Sequence, residues 1–174
     1  MILWLLCFFA PFPLPNQPVD GIERVKNSFL KIDENLRIGL ALQGDRWFDR
    51  TLWVQTLHPP DGMRVIFRGE VNEAKAVAAF EEENRYKLNM ALKSMQLAPV
   101  YGLHEGRKKV RFSLHFDVSE EGRVALNSGF LDILEADGSW REAQLSEKAL
   151  LAVIEGIYRN ENPYTSLVKG LPYL

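Results

Sequence analysis

The chain has 174 residues, of which 47% are hydrophobic and 25% charged, a globular mix long enough for one domain or for two small halves on a shared core. Nine Pro and twelve Gly are too few for a fibrous or disordered chain, and one Cys excludes an internal disulfide framework and a multi-cysteine zinc site. Lys and Arg number 21 against 23 Asp and Glu, so the net charge of −2 gives no whole-chain attraction to nucleic acid.

Residues 1–10, MILWLLCFFA, are apolar throughout, prolines follow at 11, 13, 15 and 18, and the first charge is Asp20. Ten residues are too short for a hydrocarbon core of roughly 30 Å, which takes about 20. Their length suits the apolar region of a secretory signal, with the proline-rich stretch as the segment after it. No Lys or Arg precedes the run, no small-x-small cleavage site follows it, and Cys7 is preceded by Leu5-Leu6 rather than by a small residue. The reading is a signal or anchor over residues 1–19, able to associate with a membrane through 1–10, ahead of one domain over 20–174. This places the protein in the periplasm or envelope. The alternative is a hydrophobic N-terminal strand or arm packed on a cytoplasmic domain.

Ile22, Val25, Phe29 and Ile32 share one face of an expected helix over 20–34. Three strands are expected next, Leu36–Gln43, Thr51–His58 and Met63–Val71, separated by Gly44-Asp45 and Pro59-Pro60-Asp61-Gly62. Asn72 is placed to cap a helix to about Gln96, with Val77, Phe80, Leu88, Ala91 or Leu92, and Met95 inward and Asn84 on the same stripe. Glu81–Glu83 form a solvated face. After a loop over 97–108, Val110, Phe112, Leu114, Phe116 and Val118 alternate with polar residues, the clearest strand in the chain. A second strand spans Arg123–Ala136, with a bulge or break at Asn127-Ser128-Gly129; Asp137-Gly138 turns it into a third, Ser139–Gln144. Ser146 caps a last helix to Arg159, with Leu145 and Leu150 as a staple and Leu150, Val153, Ile154 and Ile157 inward. The tail, 160–174, is read as an added edge strand.

The fold class is therefore α+β, mainly antiparallel, in the order α-βββ-α-βββ-α, with helices on one face of the sheet. The two halves share Asp-Gly, strand, cap and amphipathic helix, the pattern of an internal duplication.

None of the three His (His58, His104, His115) has a helical metal spacing, and nucleophile-elbow and phosphate-loop motifs are absent. Cys7 lies in an apolar decapeptide with no His nearby in sequence, a poor setting for a thiolate. No catalytic, cofactor-binding or metal-binding residue is assigned, and no cofactor is expected. Arg64 and Arg68 share the polar face of one strand; Lys109, Arg111 and His115 share that of another. Side by side in one sheet, they would make a positive face for an anionic partner, and these five are the candidate partner-binding residues. Trp47, Phe48 and Trp53, interleaved with Arg46 and Arg50, read as a turn packed on the core rather than a base-stacking platform.

Residues 85–155 resemble the C-terminal domain of TonB and TolA proteins. The matching pieces are Arg85–Met95, Pro99, KKVRFSLHFDVSEEGRV and LSEKALLAVIEG. An extra hairpin, LDILEADGSW, departs from that pattern, and the family's long proline-rich spacer is missing. The resemblance implies a periplasmic module that binds envelope proteins by strand addition, and it carries over no catalytic residue. The element order is also similar to type III secretion chaperones, which are cytosolic dimers. The strand pair ending in EADGSW is similar to the cone-shaped nuclear-transport-factor-like fold, which holds small ligands. The expectation is a non-enzymatic envelope protein that recognises another protein through a sheet edge or the basic face.

Overall fold

The computed structural model describes residues 20–43, 46–58, 62–84, 109–135 and 137–170. Asp20 starts the first helix, α1 (Gly21–Asn27), by accepting from the backbone N–H groups of Ile22 at 3.0 Å and Glu23 at 3.3 Å. The helix stops seven residues short of the expected end. The Asn27 amide and Ser28 hydroxyl donate back to the carbonyls of Glu23 and Arg24, each at 2.8 Å, satisfying groups that a longer helix would use. The chain then forms a small antiparallel pair, β1 (Phe29–Leu30) and β2 (Asp33–Arg37).

The expected strand Leu36–Gln43 is corrected: Ile38–Gln43 is a helix, α2. Its alternation of Leu36, Ile38, Leu40 and Leu42 fits either period over so short a run. Packing decides, since Ile38, Ala41 and Leu42 are buried while Leu40 faces out. Gly39 lets the backbones close, for a Cβ there would stand 2.8 Å from the Cβ of Lys26 on α1.

The main sheet has five antiparallel strands in chain order: β3 (Phe48–His58), β4 (Gly62–Val71), β5 (Val110–Ser119), β6 (Val124–Leu134) and β7 (Trp140–Gln144). The α+β class with a mainly antiparallel sheet is what the structure shows. Period two holds on β4 and β5: Val65, Phe67 and Val71, and Val110, Phe112, Leu114, Phe116 and Val118, are all buried on one face. The bulge expected in β6 falls at Asn127, which is skipped as pairing passes from His115↔Ser128 to Phe116↔Leu126.

Asn72 caps α3 (Glu73–Asn84), accepting from the Lys75 N–H at 3.0 Å. Ala76, Val77 and Phe80 of this helix enter the core. Leu88, Ala91, Leu92, Met95 and the Asn84 side chain lie outside the described residues. Ser146 caps α4 (Glu147–Tyr158), and Val153, Ile154 and Ile157 are buried there. A Cβ on Gly129 of β6 would come within 2.5 Å of Leu150 Cδ1, so the Leu150 side chain of α4 lies directly over the sheet at this glycine.

The tail corrects a second expectation, for Pro163–Gly170 is a helix, α5, not an edge strand. Asn162 precedes it and accepts from the Tyr164 N–H at 2.9 Å, and Pro163 takes the first helical position, where a missing N–H costs nothing. Asn162 also donates to the Ala76 carbonyl at 2.6 Å, tying α5 to α3.

Candidate functional site

The sheet's second face carries the five residues singled out by their charge. β4 and β5 are neighbours, and their register sets Arg64 opposite Asp117, Ile66 opposite His115, Arg68 opposite Ser113 and Glu70 opposite Arg111. Four of the five candidates, Arg64, Arg68, Arg111 and His115, are thus brought together. Lys109 lies exposed just before β5, where its carbonyl accepts from the Leu134 N–H at 2.9 Å.

The face is not the positive surface expected from Arg64, Arg68, Lys109, Arg111 and His115 alone. Acids from the same strands and from β6 interleave with the cations. Arg64 Nε lies 2.9 Å from Asp117 Oδ1, and Asn127 donates to the other oxygen of that carboxylate. Arg111 Nε lies 2.6 Å from Asp132 Oδ2, which also accepts from Ser113 Oγ at 2.5 Å. The Arg111 guanidinium stacks 4.0 Å from the Trp140 ring on β7. Asp132 has no solvent exposure, and its Oδ1 has no hydrogen-bond partner among the described residues; the buried Arg68 Nε has none either. The arrangement stitches β4, β5 and β6 together by charge and leaves little net positive field.

His115 sits half-buried among these groups, its ring 4.8 Å from that of Phe130. Its pKa is pulled below the ordinary value of 6.5, first by burial and next by the Arg64 guanidinium, so it is neutral at pH 7. Arg68 adds to the depression; Glu142 and Asp132 oppose it.

The aromatic cluster is core. Trp47 is buried and donates its indole N–H to the Asn160 carbonyl at 3.1 Å. Phe48 and Trp53 stand edge-on to Phe67 at 5.8 and 5.0 Å. Glu81–Glu83 are exposed, and Glu83 accepts from Thr165. Cys7, His104 and the His58 side chain lie outside the described residues. Among the described residues, no three His, Cys, Asp or Glu converge as a metal site, and no helix is long and apolar enough to cross a membrane.

The two edges of the sheet differ. β7 is five residues long and carries Arg141 and Glu142, a short and charged edge that resists pairing. β3 is eleven residues long and holds no Asp, Glu, Lys or Arg from Thr51 to His58. It pairs only with β4, so along its outer side the backbone groups have no partner among the described residues. Leu52 and Leu57 stand 55% and 82% exposed on it. Sequence reasoning placed the strand but not its position in the sheet, which depends on pairings between distant segments.

No protein-family model, curated protein or solved structure matches the chain.

Proposed function

We propose that this protein is a non-enzymatic binding module of the cell envelope that takes an extended segment of another polypeptide along β3. The observation that carries the reading is that edge: eleven residues, uncharged over most of its length, with no partner for its outer backbone among the described residues and with two exposed leucines. Such an edge offers main-chain hydrogen bonds for affinity and flanking side chains for selectivity. The resemblance of residues 85–155 to TonB and TolA domains supports the same mode of binding. The apolar segment over 1–10, followed by prolines, supports export or anchoring at the envelope. The face bearing Arg64, Arg68, Arg111 and His115 serves in this reading mainly to hold β4, β5 and β6 in register.

The test compares the full chain with L52K/L57K in affinity capture from an envelope extract. Both sites are exposed, so the variant should melt with the wild type, while lysines on an edge oppose strand addition. A polypeptide held by the wild type and lost by the variant is the expected result. A polypeptide held equally by both sinks the reading. So does a bound small molecule in native mass spectrometry with no polypeptide captured.

A further inference from the structure

The charges on the sheet's second face nearly cancel in sum, yet they are ordered across it. The register places Arg50, Leu52, Val54 and Thr56 of β3 on that face, in rows with Glu70, Arg68, Ile66 and Arg64 of β4. These two strands set three arginines against one acid. On the far side Asp132 of β6 stands opposite Glu142 of β7, and neither strand brings a cation to the face. Positive potential therefore gathers beside β3 and negative potential beside β7.

Two of the three arginines are unanswered. Asp117 holds Arg64 at 2.9 Å, but Arg50 and Arg68 form no ion pair among the described residues. Glu70 stands across from Arg50 and closes no ion pair with either. Arg68 is half-buried, and its Nε is buried without a hydrogen-bond partner, a costly state for a donor. A strand added outside β3 would place its residue opposite Arg50 with the two Cβ atoms about 4.5–5.5 Å apart. Its residue opposite Leu52 would lie two strand spacings, roughly 9.6 Å, from the Arg68 backbone. A glutamate and an arginine side chain cover that span together, with the Leu52 side chain beneath them. On the other face the edge offers Trp53 and Leu57. A strand that fits both faces alternates acidic and apolar residues. A second copy of this chain does not fit: antiparallel pairing of β3 with β3 would bring two arginine-rich rows onto one continuous face, and like charges oppose it.

We propose that the β3 edge selects its partner by charge. The extended segment it takes carries acidic side chains at alternate positions, on the face of Arg50 and Arg68, and apolar side chains on the face of Trp53 and Leu57. The inference rests on the reading of β3 as the acceptor edge and adds to it the chemistry of the occupant. Asp117 and Asp132 are committed to Arg64 and Arg111, so the carboxylate that answers Arg68 comes from the partner.

The probes are two fluorescently labelled octapeptides, one of alternating valine and glutamate and one of alternating valine and lysine, titrated against the full chain by anisotropy. Eight extended residues span roughly 26 Å, which fits within β3 at about 36 Å. Wild type should bind the glutamate peptide at least about 10-fold more tightly than the lysine peptide. Hydrogen exchange of β3 amides should slow in that complex. In about 1 M salt, where the screening length is about 3 Å, the preference should largely vanish. R50Q, at an exposed site, should lower the preference about 3-fold, and R50Q/R68Q should abolish it. Equal affinity for the two peptides, with β3 protected by both, overturns charge selection and leaves the edge reading standing. A preference for the lysine peptide, or a glutamate preference untouched by R50Q and R50Q/R68Q, also overturns it. So does a dimer of the chain that protects β3 and takes up neither peptide. In the last case, a polypeptide captured by wild type and lost by L52K/L57K still upholds the edge reading, so the two failures are distinguishable.

Discussion

Arg111 and Asp132 stand opposite each other on β5 and β6, with Nε and Oδ2 2.6 Å apart and the carboxylate fully shielded from solvent. Removing the cation would leave a buried charge answered, among the described residues, by Ser113 alone. Arg111→Ala should therefore lower stability by about 3–5 kcal/mol. Replacing both partners, as in R111M/D132L, should recover much of that loss, because a buried ion pair and an apolar pair of similar volume are often close in stability. Urea melts of the two variants check this; equal loss in both would refute the pair as the cause.

Phe112 lies wholly buried on β5, the middle strand of the sheet, opposite Leu131 and Gly69. Phe112→Ala should cost about 3–5 kcal/mol in lost transfer and cavity energy. A shift in the denaturant midpoint at constant slope is the expected signature.

His115 gives a pH dependence of known sign. Its folded pKa lies below the ordinary 6.5, chiefly through burial. As pH falls below 6.5, the unfolded chain takes up the proton more readily than the folded one, so stability falls until the folded pKa is passed. The contribution is fully present above pH 6.5. Arg64 and Arg68 on β4 deepen the effect, and Asp132 on β6 and Glu142 on β7 moderate it. Melts of wild type and His115→Asn at pH 7.5 and 5.5 should show a smaller acid loss in the variant.

Gly156 on α4 faces α5 so closely that an added Cβ would lie 1.9 Å from Ser166 Oγ, and Ser166 has no exposure. Gly156→Ala would gain up to about 1 kcal/mol in helix propensity. The clash should outweigh that gain, since overpacking typically costs about 1–3 kcal/mol. A rise in melting temperature would contradict the tight α4–α5 seam.

The sequence discloses most where one physical signal acts alone. β5 is legible because ten residues alternate without exception, and α4 because cap, staple and apolar stripe coincide. Ile38–Gln43 is not, because six residues cannot separate period two from period 3.6 and the decision lies in the approach of Gly39 to Lys26. α5 carries a readable start in Asn162-Pro163, but its spaced β-formers around Leu167 compete with it. The polar face shows the same limit. Arg64, Arg68, Arg111 and His115 could be assigned a common side of two strands. That Asp132 would stand against Arg111 depends on the register of a third strand, which the local pattern does not encode.

β4 and β5 are hydrogen-bonded neighbours along their whole length, yet positions 72–109 of the chain lie between them. The sheet is therefore two meanders, β3-β4 and β5-β6-β7, each closed by short turns and joined along a single distant ladder. Each meander can form from local contacts, while the ladder between them must await a long loop closure, so it should be the slow step of assembly. The same geometry makes the molecule divisible. Fragments 1–84 and 109–174 each carry a complete meander, and their recognition would be written in the β4–β5 register, in Trp47 bonding Asn160 and in Asn162 bonding Ala76.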